Sequence, residues 1–432
     1  MFGTSGIRGI YGGEITEELA MKIAGIFAEK ALVVGRDIRK SGVPLSQAAA
    51  AGAASVGADV IDLGIVPTPT LAFATNKHSC RGIMVTASHN PPEYNGLKLI
   101  EKGREIGKEM EKAIQEKYKQ ELILAKSIGK FRHDPNIIEE HKGMVISMVD
   151  ADAIRKKKPK IIVDCNGAAS VITPSLLSDL GCEVTSINAS LERFSRPSEP
   201  SKENLSHLPG LVRDANADFA IAHDGDGDRC AIVDDTGEML PLDVQLAMMI
   251  EHELSLTKSK KIVSTVEASL AIREVVESAG GSIEITPVGS TYVGDVLERG
   301  EAAFGGEPCG EYVYAKGVHV PDAVLAAAKF AEIFCKKGKF SELKKKYKQY
   351  FIAREKFKAK DKHAAVQAIR KSIDIKGKVR SDDGIRVDEE DGWFLIRASG
   401  TEPIVRLTME YKTSEKLNKR KAELTKLIES NV

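Results

Sequence analysis

The residues with the clearest chemical potential lie in two short stretches. Residues 86–91, here called the serine loop, read Thr-Ala-Ser-His-Asn-Pro and follow the apolar run 82–85, so Ser88 presents a hydroxyl at the end of a predicted strand. Residues 224–229, the acidic loop, read Asp-Gly-Asp-Gly-Asp-Arg and place three carboxylates at alternating positions. A hydroxyl that can carry a phosphoryl group complements an oxygen-only site for a hard cation. The pair predicts phosphoryl transfer through a phosphoserine with Mg²⁺.

The serine loop has two other interpretations. A serine hydrolase would present its nucleophile in a G-x-S-x-G turn, and the sequence around Ser88 has no such turn. An ordinary turn capped by Ser88 or Asn90 is the second alternative. Adjacent side chains diverge, so His89 is not automatically the base for Ser88. The presence of three other loops with complementary chemistry favours a functional role for this one.

The acidic loop suits a bound cation. Its two glycines allow the chain to curl, so that Asp224, Asp226 and Asp228 converge on one ion. A calcium EF-hand would need Gly at the sixth position and Glu at the twelfth, but these positions hold Arg229 and Asp235. The alternative is an Asp-Gly hairpin turn, in which three unpaired carboxylates would repel one another. Three protein oxygens would leave coordination positions open for a phosphate oxygen.

Two later loops offer groups for a phosphorylated sugar. Residues 397–403, the phosphate loop, read Arg-Ala-Ser-Gly-Thr-Glu-Pro, which resembles an anion cradle but not a Walker loop. Residues 306–311, the sugar loop, contain Glu307, whose carboxylate could accept hydrogen bonds from two sugar hydroxyls. A surface turn and an exposed loop acid are the respective alternatives.

The composition excludes several classes of protein. The chain has 432 residues, 42% of them hydrophobic, and its 62 basic and 62 acidic side chains cancel, which argues against a surface for nucleic acids or anionic membranes. No run approaches the roughly 18 apolar residues of a membrane span, and no secretory signal is visible. The six cysteines form no C-x-x-C pair, which is typical of a reducing compartment. We expect a cytoplasmic protein without nucleic-acid or membrane partners.

Strand and helix patterns alternate in three successive cycles, which predicts parallel strands joined by helices. The C-terminal stretch differs and is typical of a small α+β unit with an antiparallel sheet. Each cycle ends a strand in one of the loops, where ligands of open α/β sheets bind. Among the predicted helices are residues 169–180 and a basic helix at 336–350. The predicted domains are 1–150 with the serine loop, 151–245 with the acidic loop, 246–345 with the sugar loop and 346–432 with the phosphate loop.

Together the four loops resemble the α-D-phosphohexomutase superfamily. The opening stretch 3–9, Gly-Thr-Ser-Gly-Ile-Arg-Gly, is similar to the N-terminal signature of that family, and the five motifs occur in family order between residues 3 and 406. The resemblance implies three similar mixed α/β domains and a C-terminal α+β domain around a central active-site cleft. It also implies transfer of a phosphoryl group between the 1- and 6-positions of a hexose phosphate, through a phosphoserine and a bisphosphosugar.

The resemblance further implies a role for each matched residue. Ser88 would carry the phosphoryl group and, with Asp224, Asp226 and Asp228, would bind one Mg²⁺ per subunit. Lys98 would serve in acid/base work, and the other implied catalytic residues are Arg8, His89 and Arg229. The implied substrate-binding residues are Glu307, Arg397, Ser399, Gly400, Thr401 and Arg406. A bisphosphosugar such as glucose 1,6-bisphosphate would act as the activator.

The sugar loop departs from the family pattern G-E-x-S-G-H, because Cys309 and Glu311 stand in place of its serine and histidine. The role of that histidine is therefore not assigned to Glu311. Gly400 favours the phosphoglucosamine mutase branch, which interconverts glucosamine 6-phosphate and glucosamine 1-phosphate, and the altered sugar loop resembles archaeal-type members. A phosphomannomutase/phosphoglucomutase is the alternative, and a sugar phosphatase or a non-catalytic sugar-phosphate sensor is more distant. Both a monomer and a homodimer are compatible with the sequence.

Overall fold

The computed structural model of the chain describes residues 1–3, 5–373, 377–399 and 403–432. Its strands form four sheets, and each sheet is built from one of four successive segments. No helix within the described ranges is long and apolar enough to cross a bilayer. The predicted fold class, three mixed α/β domains followed by an α+β domain, is confirmed by these sheets. The residue boundaries between the domains stay a prediction.

The first sheet has seven strands and carries the serine loop. Its strands are β1 (Ile7–Ile10), β2 (Ala31–Arg36), β3 (Asp59–Ile65), β4 (Arg81–Val85), β5 (Tyr94–Glu101), β6 (Arg104–Glu105) and β7 (Phe131–His133). The strand order is β1-β5-β4-β2-β3-β7, with β6 paired to β5. The helices of this segment are α1 (Glu17–Phe27), α2 (Gly42–Ser55), α3 (Thr68–Lys77), α4 (Lys108–Tyr118) and α5 (Ile137–Ser147). Thr16 caps α1 by accepting a hydrogen bond from the amide of Leu19, which explains where this helix begins.

The second sheet has four strands in the order β11-β10-β8-β9 and carries the acidic loop. Its strands are β8 (Lys160–Asp164), β9 (Glu183–Ile187), β10 (Phe219–His223) and β11 (Cys230–Asp234). Its helices are α6 (Ala151–Lys157), α7 (Thr173–Asp179) and α8 (Leu208–Asp214).

The third sheet, in the order β13-β12-β14-β15, shares one apolar core with the second. Its strands are β12 (Lys261–Thr265), β13 (Ser282–Thr286), β14 (Phe304–Glu307) and β15 (Glu311–Tyr314). Its helices are α9 (Leu242–Leu256), α10 (Leu270–Ser278), α11 (Ser290–Glu298), α12 (Ala323–Lys337) and α13 (Phe340–Leu343). The shared core includes Ile221 from β10, Phe304 from β14 and Phe330 from α12, all fully buried.

The first three sheets place their loops in the same way. Strands β4, β10 and β14 each pair in parallel with an earlier strand on one side and antiparallel with the strand that follows the loop on the other. The prediction of parallel strands holds where helices join the strands, and the antiparallel strand after each loop makes these sheets mixed, as the predicted fold class has them. A short loop reverses the chain directly, whereas a parallel connection needs a crossover of a dozen or more residues.

Two predicted helices differ from the structure. The helix expected at 169–180 is a 3₁₀ turn at Ala168–Val171 followed by α7, because Ile172 leaves the helical region with φ −135°. The basic helix expected at 336–350 is wrong. Helix α12 ends before Gly338, whose φ of +96° breaks the helix, and only α13 and a 3₁₀ turn at Lys344–Lys346 follow.

The fourth sheet is antiparallel throughout and has the order β16-β20-β19-β18-β17. Its strands are β16 (Phe351–Lys358), β17 (Lys378–Arg380), β18 (Ile385–Glu389), β19 (Gly392–Ala398) and β20 (Ile404–Tyr411), and its helices are α14 (Lys362–Ser372) and α15 (Ser414–Glu429). Trp393 and Leu395 pack on Val266 of the third segment. The guanidinium of Arg386 lies 4.0 Å from the ring centroid of Trp393 and donates to the carbonyl of Ala268. Arg386 therefore connects the fourth segment to the third.

Candidate active site

Ser88 lies in a strained backbone position at the contact between the first two sheets. Its φ is +50°, in the left-handed region, and its side chain is buried. The Ser88 hydroxyl donates to Asp224 Oδ2 at 2.9 Å, across 136 positions of sequence. The Ser88 amide donates to Thr86 Oγ1 at 2.9 Å, and the Thr86 hydroxyl donates in turn to Asp37 at 2.7 Å. The serine loop is therefore held so that its hydroxyl faces the acidic loop.

The acidic loop brings its three carboxylates together as predicted. Ligand oxygens of Asp224, Asp226 and Asp228 lie within 4.8 Å of one another, and all three side chains are buried. Asp226 Oδ1 and Asp228 Oδ1 have no hydrogen-bond partner. Thr68, at the start of α3, donates to Asp226 Oδ2 at 2.6 Å. Buried carboxylate oxygens without donors are the ligands that a hard divalent cation takes, so the residues present fit Mg²⁺.

Lys98 compensates part of this negative charge. It is buried on β5, and its ammonium lies 2.8 Å from Asp226 Oδ2 and 2.5 Å from Asp228 Oδ2. Burial alone would lower the pKa of Lys98, but the two carboxylates raise it well above its ordinary value. The lysine is therefore a protonated ammonium at neutral pH.

The three carboxyl groups differ in their pKa values because they differ in partners. Burial and the charges of the other two aspartates raise the pKa of Asp224 well above its ordinary value. Burial, together with the charge of Asp226, raises the pKa of Asp228 to about 6. Burial opposes ionisation of Asp226 as well, but the Lys98 ammonium and the Thr68 hydroxyl lower its pKa. Asp226 therefore carries the most firmly held negative charge of the loop.

Two arginines and one histidine also lie around the serine loop. Arg8, on β1, reaches the side chain of Asn90 at 3.4 Å. His89 Nδ1 lies 3.4 Å from Ser88 Oγ. The charge of Arg229, then burial, then the charge of Arg8 lower the pKa of His89 to about 2, so the imidazole is neutral. These cations create a potential that favours an anion next to the serine hydroxyl.

The sugar loop is a tight hairpin between β14 and β15. Glu307 and Glu311 face each other across it, and Glu307 accepts from the amide of Gly289 at 3.3 Å. Burial, followed by the charge of Glu311, raises the pKa of Glu307 well above its ordinary value. Glu311 pairs with Arg229, whose Nε and Nη2 lie 2.9 and 2.8 Å from the same carboxylate oxygen. The sugar loop is thus tied directly to the end of the acidic loop.

The phosphate loop joins β19 to β20 and gathers basic side chains. Arg397 and Arg406 are directly opposite each other on these strands. Like charges in this position repel, so an anion held near them would relieve the repulsion. Arg397 also lies 3.5 Å from Glu267 and 3.7 Å from Asp383. Ser399 is buried, and its carbonyl accepts from Lys362 at 2.6 Å. The predicted residues Gly400 and Thr401 lie outside the described residues.

Several residues of the site were missed by reasoning from the sequence. Arg39 donates to the carbonyl of Ser88, and Ser198 donates to the same carbonyl from the second segment. Thr68 donates to the acidic loop from α3. The only sequence signal was the position of residues 37–39, Asp-Ile-Arg, just after the end of a predicted strand, where ligand sites of α/β sheets gather.

Comparison with solved structures shows that the fold is shared with known proteins. A phosphoglucomutase/phosphomannomutase family protein from Burkholderia thailandensis superposes with a TM-score of 0.87 at 24% identity, over 99% of this chain and 97% of that one. Aspergillus fumigatus N-acetylphosphoglucosamine mutase, in complex with GlcNAc-6P and magnesium, superposes with a TM-score of 0.65 at 14% identity, over 100% and 96%. The fold is therefore that of the four-domain phosphohexomutases.

Family models and curated relatives give the closer assignment. The phosphoglucomutase/phosphomannomutase models for alpha/beta/alpha domains I, II and III match residues 1–123, 139–237 and 243–350, and the model for the C-terminal domain matches 353–427. A "Phosphoglucomutase/phosphomannomutase" from Thermococcus kodakarensis is 38% identical over 96% of this chain and 95% of its own length. A "Probable phosphoglucosamine mutase" from Methanosarcina barkeri is 39% identical over 95% of each. The chain belongs to the phosphoglucomutase/phosphomannomutase family within the α-D-phosphohexomutase superfamily, which confirms the resemblance found in its motifs.

Proposed function

We propose that this chain is a phosphohexomutase that moves a phosphoryl group between the 1- and 6-hydroxyls of a hexose phosphate, with glucosamine phosphate as its preferred sugar. The observation that carries the proposal is the hydrogen bond of 2.9 Å between the Ser88 hydroxyl and Asp224, in a cluster of three buried aspartates. A serine held at a hard-cation site beside arginines is suited to carry a phosphoryl group. Relatives named as probable phosphoglucosamine mutases, 35–39% identical to this chain, support the choice of sugar.

The reaction runs through phosphoserine at position 88. The bond between Ser88 Oγ and phosphorus breaks as a new bond forms from phosphorus to the free sugar hydroxyl, which gives a bisphosphosugar. The sugar hydroxyl loses one proton and Ser88 Oγ regains one, so the step is balanced. Lys98, which is buried against the acidic loop, is the proposed proton carrier. The reverse transfer from the other end of the sugar restores phosphoserine, and a bisphosphosugar such as glucose 1,6-bisphosphate supplies the first phosphoryl group.

Mg²⁺ is the cation that suits the acidic loop, with Asp224, Asp226, Asp228 and Ser88 as the residues that would hold it. When bound, it would neutralise charge on the transferring phosphoryl group. Arg8 and Arg229 add positive charge on the same side, and His89 lies beside the hydroxyl as a neutral imidazole. These groups would favour the phosphorylated form of Ser88.

The third and fourth segments are proposed to bind the sugar and its resident phosphate. Glu307 accepts a hydrogen bond from the Gly289 amide, and its carboxyl group would bind sugar hydroxyls. Arg397 and Arg406, which are opposite each other on β19 and β20, would bind the phosphate that is already on the sugar. Substrate residues of the same loop would be Ser399, Gly400 and Thr401.

A phosphomannomutase/phosphoglucomutase is the second candidate, favoured by the Thermococcus kodakarensis relative of that name. Phosphorus NMR would separate the candidates. The protein would receive Mg²⁺, a trace of glucose 1,6-bisphosphate, and the 1-phosphates of glucosamine, mannose and glucose together. The 6-phosphate that grows fastest identifies the sugar, and we expect glucosamine 6-phosphate.

Two variants make the test specific. Ser88→Ala removes the proposed carrier and should abolish all 6-phosphate signals, whereas Ser46→Ala, at a half-buried serine on α2 whose hydroxyl donates to the carbonyl of Val43, should leave them unchanged. Release of inorganic phosphate without any 6-phosphate would instead indicate a phosphatase. Unchanged spectra would contradict a mutase acting on these sugars.

A further inference from the structure

We propose that Arg39 is the positioning residue that holds Ser88 ready for phosphoryl transfer, by fixing the backbone of the serine loop with a single guanidinium group. This inference rests on the proposed function of Ser88. It assigns a task to a residue that touches neither the acidic loop nor the sugar loop through any hydrogen bond found among the described residues.

The serine loop wraps around the Arg39 side chain. Nη2 donates to the carbonyl of Ser88 at 2.8 Å and to that of Asn90 at 2.7 Å. Nη1 donates to the carbonyl of Pro91 at 2.5 Å and to that of Tyr94, the first residue of β5, at 2.9 Å. Four backbone carbonyls therefore converge on one buried side chain. A guanidinium is the only side chain with enough donors in one rigid plane to satisfy them together.

The loop needs such a partner because of its conformation. Ser88 is held at φ +50°, a region that costs free energy for a residue with a side chain. Its carbonyl points inward instead of pairing in a sheet, where Arg39 and Ser198 bond it. Conformations of this kind persist only when the surroundings over-determine them. Arg39 supplies one of the two hydrogen bonds to the Ser88 carbonyl and bonds the carbonyls of Asn90 and Pro91 in the same loop.

Asp37 holds Arg39 in turn and links it to the other side of the serine. The Asp37 carboxylate accepts from Arg39 Nε at 3.0 Å and from the Arg39 amide at 2.9 Å. It also accepts from the Thr86 hydroxyl, which bonds the Ser88 amide. The buried pair of Asp37 and Arg39 therefore fixes Ser88 on both sides: Arg39 bonds its carbonyl directly, and Asp37 orients Thr86, which bonds its amide. The ring of Phe194 lies 5.1 Å from the guanidinium.

A positioning role predicts a loss in rate rather than in substrate binding. Arg39 lies on the protein side of the loop, so its replacement leaves the proposed sugar and phosphate contacts intact. Displacement of a reacting group by about 1 Å costs on the order of 100-fold in rate. We therefore expect kcat to fall by about 100-fold, with KM for the hexose phosphate changed by no more than about twofold.

The test compares Arg39→Lys with Arg39→Ala. Lysine keeps a cation opposite Asp37 but lacks the planar set of guanidinium donors. The Arg39→Lys variant should therefore fold and still show the fall in kcat. Arg39→Ala should regain part of its rate when guanidinium is added, since the small cation can enter the vacated site. Arg36→Lys is the matched control, because Arg36, the half-buried last residue of β2, donates to the carbonyl of Asp37 at 3.2 Å and to no carbonyl of the serine loop among the described residues. We expect the control to retain the wild-type rate.

Two readouts separate this inference from the proposed function. Intact mass would follow phosphorylation of Ser88 by glucose 1,6-bisphosphate, and hydrogen exchange would follow the amides of residues 88–90. Slow phosphorylation with faster exchange in Arg39→Lys supports the inference. A wild-type rate, or a change in KM alone, overturns it. If wild-type Ser88 accepts no phosphoryl group, the proposed function fails, and the exchange rates alone decide whether Arg39 fixes the loop.

Discussion

Replacement of Lys98 by Met would reveal which charge holds the three aspartates together. The Lys98 ammonium is buried and contacts Asp226 and Asp228 at 2.8 and 2.5 Å. Met has nearly the same length but no charge, so Lys98→Met leaves the carboxylates uncompensated when no metal is present. Removal of one partner from a buried ion pair costs about 3–5 kcal/mol. At about 2–4 °C per kcal/mol, Tm in the presence of a chelator should fall by roughly 6–20 °C.

Added Mg²⁺ should reverse most of this loss. A ligand at about 100 times its Kd stabilises the folded state by about 2.7 kcal/mol. The variant should bind the cation more tightly than the wild type, because no ammonium neutralises the carboxylates of Asp226 and Asp228. We therefore expect the increase in Tm between chelator and saturating Mg²⁺, measured by calorimetry, to be larger in Lys98→Met than in the wild type.

Lys142 provides a matched control outside the site. Its side chain is also buried, but it pairs with two exposed carboxylates, Glu139 at 3.1 Å and Asp179 at 2.6 Å. Lys142→Met should lower Tm by a similar amount in chelator and in Mg²⁺. Equal increases in Tm with Mg²⁺ in the wild type and Lys98→Met would refute the reasoning, since they would mean that the cation does not replace the charge of Lys98.

Three further outcomes are expected. Gly225→Ala would place a Cβ 2.8 Å from the carbonyl oxygen of Ser88, so phosphorylation of that serine, followed by intact mass, should slow by about 10–100-fold; an unchanged rate would show that the loop adapts. Glu311→Gln removes the carboxylate that pairs with Arg229 and would leave the arginine to the phosphoryl group on Ser88, so phosphorylation of Ser88 by glucose 1,6-bisphosphate, followed by intact mass, should become faster; slower phosphorylation would show that the pair is needed to orient the arginine. Burial raises the pKa of Glu332, but hydrogen bonds with His252 and Lys336 and the charge of Lys329 outweigh it and lower the pKa to about 2. The ionised form therefore stabilises the fold above pH 4.5, a contribution lost as the pH falls towards 2. The difference in Tm between wild type and Glu332→Gln should accordingly be constant from neutral pH to about 4.5 and shrink below it, and a constant difference at lower pH would contradict this.

The motifs predicted the family, the fold class and the meeting of Ser88 with Asp224, because each loop carries its chemistry in consecutive residues. Short-range signals such as strand ends and glycine positions located the loops, and the complementary chemistry of the loops together with the family resemblance brought Ser88 and the acidic loop together. The family and the mixed α/β architecture predicted from the motifs are confirmed. The catalytic and binding roles of the individual residues stay predictions.

The missed features depend on contacts that are distant in sequence. Arg39 and Thr68 act through hydrogen bonds to loops about 50 and 158 positions away, which no local pattern reports. Pairing of Glu311 with Arg229 likewise follows from the packing of the third sheet on the second. The error at residues 336–350 has a local cause, since a run of lysines obscured the break at Gly338.

The unequal contacts between segments have an evolutionary consequence. The second and third sheets share one continuous core, so neither could be exchanged with a relative without repacking the other. The fourth segment meets the third through a small cluster around Val266, Trp393 and Leu395, together with the contacts of Arg386. Recombination between relatives should therefore succeed most often near residue 350. Such an exchange would replace the whole fourth segment, including the phosphate loop, and would leave the surroundings of Ser88 and the acidic loop unchanged.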